Sequence, residues 1–578
     1  MPLLIFGANV SYDEDVTLQK FVELVDDESW TEFMPKGVTK KVFEDFRKYY
    51  DEEVFLAAGH KIRNIAKDAD SLEPTERVAK IAELFNYFKN PDSENVLTPW
   101  RVVNMHLSNC IGGYVFYNND FSELLKEPTY VIKDEITQNV FGSTDTELLE
   151  INSKSGLYPL FLTYTMYRKY MNNTDKKQLT IEEKKELWNK AVTNNIFVIC
   201  ATPMAKAITK RSLTGYTNTS INAHYVENLV DKMKDKSQNV AFEKKILNRN
   251  YWKKGNGKMK FNAIVGNPPY QKSDGGSKSS SVPLYHHFVN EARKLNSQYV
   301  SMIIPAKWYS GGRGLDKFRA SMLKDTHIQE LYDYRDSEDL FTGVDIAGGV
   351  CYFLWNKGYN GECNFESYLN NEQLSSSKRK LSKYPVFIRD EISLDIIEKV
   401  LAKEKVFFDS VVSSQKPFGL RTYITPDKTG DIKLRYNQGI GPFKRKNVLS
   451  ATEWIDKWKV IMSYLTNDHA GRADKEGKRK IFSSLEVLPP KTVCTETYLV
   501  IATFDSQEEA ENCFEFLKTK FVRFLVAQIT ITQHLSKANF MMVPYLDFKE
   551  KWEENKLYKQ YEITEEEIKF IDSTIKPM

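Results

Sequence analysis

The sequence lacks any apolar run close to the roughly 20 residues that a membrane-spanning helix requires. Its first ten residues contain no basic segment and no small-residue cleavage site, which argues against an export signal. No Cys-x-x-Cys pair occurs among the six cysteines, so neither a zinc site nor a disulfide framework is expected. These absences predict a cytoplasmic protein with reduced thiols, no bound metal and no membrane partner.

An excess of charge of either sign is also missing. The 81 basic residues nearly cancel the 78 acidic residues, which leaves a net charge of +3. This balance neither indicates nor excludes a nucleic-acid partner, because such binding needs only locally clustered positive charge. A chain of 578 residues is too long for one compact core, so two or three domains are expected.

What the sequence does contain is a short apolar stretch with an abrupt end, at residues 261–270. Residues 263–265 predict a buried strand that stops at Gly266. The strand cannot continue, because Pro268 and Pro269 lack the N–H donors that a sheet needs. The turn would therefore leave the sheet at the carboxyl end of the strand, where open α/β sheets bind ligands.

This turn would present an amide, a backbone carbonyl and an aromatic ring together. The Asn267 side-chain oxygen and the Pro268 carbonyl can each accept one hydrogen bond from the same –NH2 group. That arrangement raises the electron density on the nitrogen and directs its lone pair toward an electrophile. Tyr270 offers a face on which the ring that carries the amine can stack. The alternative is an ordinary loop, with Asn267 capping a turn and Tyr270 in the core.

The stretch resembles the catalytic motif of the adenine-N6 DNA methyltransferases of restriction-modification systems, in the class whose cofactor motif comes first. The resemblance implies a doubly wound, Rossmann-like α/β sheet and methyl transfer from S-adenosyl-L-methionine to the N6 amine of a flipped adenine. It also implies a methyltransferase domain at 91–375 and a C-terminal α+β target-recognition domain at 376–578. Apolar residues at helical spacing predict an N-terminal helical region at 1–90. The catalytic residues implied are Asn267, Pro268, Pro269 and Tyr270.

Two upstream stretches follow the order of the cofactor motifs in that family. Thr98 and Pro99 predict the start of a helix, with Thr98 as its N-cap, and the family's equivalent closes over the methionine end of the cofactor. Residues 148–158 predict a strand, a turn of small residues and a helix, which allows the backbone to approach a ligand closely. The cofactor-binding residues implied are Thr98, Pro99, Glu150, Asn152, Ser155, Gly156 and Tyr158, with Cys200 in the next predicted strand.

Two positions depart from the family's pattern. Lys154 stands where a glycine is usual. Cys200, which ends the predicted strand at 196–200, stands where an acidic residue usually binds the ribose hydroxyls of the cofactor. Thr202 or a later residue would then replace that acid, or the ribose would be held loosely. A DNA-specificity subunit with a decayed cofactor site is the alternative to an active enzyme. A third cofactor motif is expected near 246–250.

After the catalytic turn, strand and helix patterns alternate as far as residue 355, which is typical of a doubly wound sheet that finishes in a hairpin. Phe341 precedes the last predicted strand at 348–355 and is the second candidate, with Tyr270, to pack on the flipped base. A glycine- and serine-rich stretch at 275–281 predicts a mobile loop. Residues 508–527 predict one long amphipathic helix.

The last third of the chain carries three basic clusters, at 416–421, 444–446 and 472–480. Phe418, Tyr436 and Phe443 lie among them, and this mixture suits contacts to phosphates and bases. Double-stranded DNA is therefore the expected partner, with a nuclease or helicase domain or subunit of the same system as a further candidate. RNA adenine and a protein glutamine side chain are the alternative substrates.

Overall fold

A computed structural model of the chain describes residues 1–11, 13–90, 95–176, 178–273, 281–309, 311, 314–384, 386–466, 474, 477–530 and 534–578. The predicted mobile stretch at 275–281 lies, except for Ser281, outside the described residues, and so does part of the basic cluster at 472–480. The chain divides into two compact units, the first formed by Met1–Ala306 and Arg313–Ser382 and the second by Lys307–Gly312 and Lys383–Met578. The predicted three-part division stays a prediction.

The helices of the first unit begin and end as follows: α1 (Pro2–Gly7), α2 (Leu18–Leu24), α3 (Asp27–Phe33), α4 (Lys40–Phe46), α5 (Glu52–Ala69), α6 (Pro74–Phe85), α7 (Trp100–Cys110), α8 (Asp134–Phe141), α9 (Leu157–Asn172), α10 (Ile181–Asn195), α11 (Pro203–Thr214), α12 (Leu229–Lys234), α13 (Lys236–Ile246), α14 (Tyr285–Ala292) and α15 (Asp316–Lys324). None of the helices in the part of the chain that the structure describes is both long and apolar enough to cross a membrane.

The strands of the first unit are β1 (Gly113–Tyr117), β2 (Leu124–Val131), β3 (Leu148–Ser153), β4 (Ile196–Cys200), β5 (Asn222–Tyr225), β6 (Ala263–Gly266), β7 (Gln271–Ser273), β8 (Ser281–Pro283), β9 (Tyr299–Pro305), β10 (Ile328–Tyr334), β11 (Val350–Asn356), β12 (Cys363–Leu369) and β13 (Glu372–Arg379). Nine of them form one sheet in the order β13-β12-β10-β11-β9-β6-β3-β4-β5. The strands predicted at 196–200 and 263–265 are confirmed.

The centre of this sheet is parallel, and its strand order reverses at β3. From β3 the chain moves outward through β4 and β5, then returns to the other side of β3 to form β6 and β9. β11 lies antiparallel between β9 and β10. This is the predicted doubly wound sheet with a terminal hairpin, and in such sheets the crevice at the reversal point, here between β3 and β6, is where ligands bind.

The expected position of a third cofactor motif, near 246–250, begins at the end of helix α13 and stays a prediction. The strand that follows β4 in space is β5, which ends at Tyr225, whereas residue 246 is the last residue of α13. Only one of the four residues of β5 is fully buried, because the strand forms the edge of the sheet. No apolar run therefore marks β5 in the sequence.

The N-terminal helices pack directly on α11 and belong to the same compact unit as the sheet. Arg77 on α6 donates hydrogen bonds to the backbone oxygens of Ser212 (3.0 Å) and Arg211 (3.2 Å). At the other end of α11, the Met204 N–H donates to the Ser29 hydroxyl of α3 at 3.1 Å. Residues 1–90 are therefore part of the packing that positions α11 and the strands that it contacts, β3, β4 and β5.

The second unit contains helices α16 (Glu391–Lys403), α17 (Gln507–Lys518), α18 (Lys520–Ile529), α19 (Glu554–Gln560) and α20 (Glu565–Thr574). Its strands are β14 (Ile432–Tyr436), β15 (Gly439–Phe443), β16 (Trp458–Ser463), β17 (Leu485–Leu488), β18 (Thr492–Cys494) and β19 (Tyr498–Phe504), in two three-stranded sheets. The single helix predicted at 508–527 is two helices, because Thr519 adopts an extended conformation and its hydroxyl caps α18.

Two of the aromatic residues expected to contact DNA lie in the core of the second unit instead. Phe418 and Phe443 are 0% and 3% exposed and pack in one apolar cluster. That prediction is wrong for both rings, which stabilise the small sheet that carries the basic residues. Among those basic residues, Arg445 pairs with Asp456 and Arg421 pairs with Glu496.

Candidate active site

The carboxyl ends of β3 and β6 approach each other closely at Gly266. A Cβ atom on Gly266 would lie 2.6 Å from the backbone oxygen of Ile151, so only glycine allows this spacing. Asn152, in the left-handed region with φ of 69°, donates from its side chain to the Asn267 backbone oxygen at 3.2 Å. These contacts hold the turn that begins at Asn267 against the carboxyl end of β3.

The orientation of the Asn267 amide follows from its neighbours. Its nitrogen lies 3.0 Å from the Thr98 hydroxyl oxygen and 3.5 Å from the Val96 carbonyl oxygen, and a carbonyl can only accept. The amide oxygen therefore points the other way. It is buried and has no hydrogen-bond partner among the described residues, although the Asn267 amide lies close enough to the Tyr270 hydroxyl to oppose the rise in the pKa of that group. A buried acceptor without a partner is costly to a fold, and it is the group that an amine substrate would satisfy.

Thr98 thus has a different local role from the one predicted. Helix α7 begins at Trp100 with Pro99 as its N-cap, and the Thr98 side chain does not cap it. The Thr98 hydroxyl accepts from Asn267 instead and also contacts the Tyr158 hydroxyl closely enough to affect its pKa. One residue of the predicted cofactor element therefore orients the Asn267 amide.

Tyr270 and Phe341 lie side by side, with ring centroids 6.5 Å apart and an interplanar angle of 65°. Burial raises the pKa of Tyr270 well above its usual value, so the phenol stays neutral. Both rings are buried, as is Pro268, while Pro269 is half-buried. The two rings contact each other edge to face. Their role in stacking on the flipped base stays a prediction.

Glu150 on β3 is a buried carboxyl group with an unused oxygen. Its Oε2 atom makes no hydrogen bond with any residue that the structure describes. Burial raises the pKa of Glu150 from its ordinary 4.5 to about 8, although a contact with Ser153 partly opposes this. A cation that bound beside this buried carboxyl group would stabilise its charged form and so lower its pKa.

We expect Glu150→Gln to stabilise the protein, and increasingly so as the pH rises. Below about pH 4.5 both folded and unfolded wild type hold the proton, so the substitution changes little. Between about pH 4.5 and 8 only the unfolded wild type releases it, so the wild type loses folding stability that the glutamine variant keeps. The gain should reach roughly 2–4 kcal/mol near pH 8.5. Thermal unfolding of both proteins at about pH 5 and 8.5 measures it, and an equal difference at both pH values would contradict the assignment.

Tyr158 connects the cofactor helix to the neighbouring elements through a histidine that the sequence analysis missed. His106 on α7 lies 2.7 Å from the Tyr158 hydroxyl and 2.8 Å from the Ser301 hydroxyl of β9. Since Ser301 donates to the Phe353 oxygen, it accepts from His106 Nε2–H, and Nδ1 accepts from Tyr158. Burial lowers the pKa of His106 to about 3, so this link is neutral.

The turn between β3 and α9 is tightly built. Gly156 has φ of 75°, and a Cβ atom there would lie 2.9 Å from the Thr209 Cα of α11. Ser155 and Lys154 are each 7% exposed. Cys200 is fully buried at the end of β4, and burial raises the pKa of its thiol well above the usual value. A neutral thiol accepts hydrogen bonds weakly, so the predicted role of Cys200 in binding the cofactor stays a prediction.

A separate cavity of about 1050 Å³ opens at the amino ends of the strands, lined by residues that include Glu147, Arg249 and Asn262. Only the first two residues of the motif, Phe261 and Asn262, line it, and it lies at the opposite end of the strands from the turn that begins at Asn267. Within the described ranges, no group of three or more His, Cys, Asp or Glu side chains is placed to hold a metal ion.

Comparison with known proteins adds a family to this geometry. Residues 194–341 match the model of a family described as the Eco57I restriction-modification methylase. The matched segment begins just before β4, ends at Phe341 and includes the turn of Asn267–Tyr270. The predicted resemblance to methylases of restriction-modification systems is thereby confirmed.

The individual proteins that resemble this chain share little sequence identity with it. An uncharacterized adenine-specific methylase of Mycoplasma pneumoniae is 27% identical over 394 residues, which cover 64% of this chain and 88% of that protein. A solved DrdV–DNA complex has a TM-score of 0.42 at 11% identity and covers 94% of this chain and 64% of that chain. A type I restriction-modification methyltransferase subunit of Streptococcus thermophilus has a TM-score of 0.32 at 12% identity. The match covers 58% of this chain and 63% of that chain. This chain spans less than two thirds of either solved chain.

Proposed function

We propose that this chain is a site-specific DNA methyltransferase that transfers a methyl group from S-adenosylmethionine to the N6 amine of adenine. The family match supports a place in a restriction-modification system, and the Mycoplasma relative supports adenine as the base. The observation that carries the proposal is the Asn267 amide oxygen, an unused buried acceptor beside Tyr270. An exocyclic amine is the group that such an acceptor would bind.

The residues present fit the cofactor. S-adenosylmethionine supplies a methyl group on a positively charged sulfur and carries an ammonium group. The unused carboxyl oxygen of Glu150 suits that ammonium, and the turn at Ser155 and Gly156 permits close backbone approach. The residues that would hold the cofactor are Thr98, Pro99, Glu150, Asn152, Ser155, Gly156 and Tyr158, with Cys200 at the end of the next strand.

The chain's own groups would act mainly by orientation. Asn267 Oδ1 and the Pro268 carbonyl accept the two protons of the amine, which directs the nitrogen lone pair toward the methyl group. Tyr270 stacks on the adenine ring. No general base is required before attack, because the amine can release its proton afterwards. The burial of these groups excludes water, which favours a reaction that consumes the sulfonium charge.

Adenine in a duplex must leave the base stack to reach such a site, at a cost of a few kcal/mol. Double-stranded DNA is accordingly the proposed partner, with the second unit as the target-recognition domain. Lys444 and Lys446 are exposed on that unit and suit contacts to phosphates. A nuclease or helicase domain or subunit of the same system is the further proposed partner.

The direct test incubates the protein with methyl-labelled S-adenosylmethionine and DNA, then identifies the labelled nucleoside by chromatography and mass spectrometry. We expect N6-methyladenine at one sequence context. Parallel reactions contain RNA or protein extract, and label confined to either would reassign the substrate. Calorimetric titration with the cofactor is the companion measurement, because a chain that binds DNA but no cofactor would be a specificity subunit instead.

A further inference from the structure

Strand β4 ends without an acidic residue, yet a carboxylate lies buried at that place. The Thr202 hydroxyl, two residues after the strand, donates a hydrogen bond of 2.5 Å to Glu32 Oε2. Glu32 belongs to α3, 170 residues earlier in the chain. Only 9% of Glu32 is exposed, so this carboxyl group lies within the packed structure and not on the surface.

The position of Glu32 is held by several independent contacts. Thr202 is the N-cap of α11, and its hydroxyl accepts from the Ala205 N–H at 3.2 Å while donating to Glu32. One turn earlier on α3, Ser29 accepts from the Met204 N–H. The first turn of α11 and the last turn of α3 are thus joined by side chains from both helices, which leaves Glu32 little freedom to move.

Electrostatic effects place Glu32 next to the predicted cofactor residues. The Glu32 and Glu150 carboxylates both raise the pKa of Cys200, so the thiol lies near each of them. Burial raises the pKa of Glu32, and the ammonium of Lys154 opposes this increase. Lys154 lies in the turn between β3 and α9. Glu32 is therefore a buried acid at the carboxyl ends of β3 and β4. It lies near Cys200 in space although the two are far apart in the sequence.

We propose that Glu32 binds the ribose hydroxyls of the nucleoside cofactor, so that the N-terminal helical region completes the cofactor site. A carboxylate accepts from two adjacent hydroxyls at once, and the end of the second strand is where nucleotide-binding α/β sheets use such an acid. Cys200 cannot supply this charge because its thiol is neutral. The inference rests on the proposed function, since it assumes an adenosyl cofactor.

The test compares two ligands and three proteins by calorimetry. The ligands are S-adenosylhomocysteine and its 2′,3′-dideoxy analogue, which lacks the ribose hydroxyls. The proteins are the wild type, Glu32→Gln, and Asp27→Asn as a control, because Asp27 is on the same helix with its side chain 91% exposed. We expect the wild type and the control to prefer the hydroxylated ligand by roughly 10–100-fold, and Glu32→Gln to lose that preference to within about threefold.

The other outcomes are distinct. If Glu32→Gln weakens both ligands equally and keeps the preference, Glu32 only shapes the site and the inference is overturned. An unchanged affinity for both ligands overturns it as well, while leaving the methyltransferase proposal intact. If the wild type binds neither ligand, the proposed function itself fails. Thermal unfolding without ligand confirms that the variants are folded at the temperature of the titration.

Discussion

Asn267→Ala is expected to lower the rate of methyl transfer by at least about 10²–10³-fold, the range seen when one preorganised polar group is removed from an active site. The loss should appear in kcat, because the amide oxygen would act on the amine as the new bond forms. Binding of DNA and of the cofactor should remain, since neither depends on that oxygen alone. Single-turnover rates and separate binding titrations measure the three quantities.

A matched control for this variant is Asn195→Ala. Asn195 is also fully buried in the first unit, and its side chain donates to the Thr144 and Thr146 oxygens at 2.8 Å each. It lies at the amino end of β4, far along the strand from the motif residues. Truncation there should reduce folding stability but leave the rate per folded molecule within about threefold of wild type. A comparable rate loss in both variants would show that Asn267 acts through packing and not through its amide.

Tyr270→Ala is expected to lower methyl transfer by roughly 5–150-fold, which corresponds to the 1–3 kcal/mol typical of one base–aromatic stacking contact. Tyr270→Phe should retain near wild-type activity, because the stacking face remains. It should also be close to wild type in stability, since the buried hydroxyl that it removes makes only a weak contact with the Asn267 amide. Rates on DNA and thermal unfolding of both variants give the comparison.

Tyr167→Ala provides the control for losing a buried ring. Tyr167 is 1% exposed on α9 and packs near Tyr164 and Trp188, well along the helix from the site. Its truncation should lower stability without changing the rate of the folded fraction. If Tyr270→Phe were as inactive as Tyr270→Ala, the hydroxyl and not the ring face would be the important group, and stacking would be the wrong assignment.

The motif at 261–270 was readable from the sequence because its physics is local. An apolar run followed by two prolines predicts a strand that ends, and the run of five apolar residues at 196–200 predicts a buried strand. The edge strand β5 was missed because it is short and only half-buried. The break at Thr519 was missed because the apolar period runs through it and tertiary packing selects the extended conformation.

The roles of individual polar side chains were harder to predict from the sequence. Thr98 satisfies the sequence rule for an N-cap, yet its hydroxyl binds Asn267, because folding places the two next to each other across 169 residues. His106 is a lone histidine on an apolar helix, which carries no signal in sequence. Its partners Tyr158 and Ser301 become visible only when β9 and α9 pack against α7.

The strand that ends at Gly266, the turn that follows it and the parallel sheet that contains this strand could all be predicted from the sequence. Each of these features is predicted by the pattern of apolar residues, glycine and proline over a few consecutive positions. Two features are visible only in the folded structure. One is the direction in which the Asn267 amide faces, and the other is the glutamate from α3 that lies where β4 lacks an acid. Both depend on contacts between segments more than 160 residues apart, and no local pattern encodes such a contact because burial, and not sequence spacing, brings the groups together.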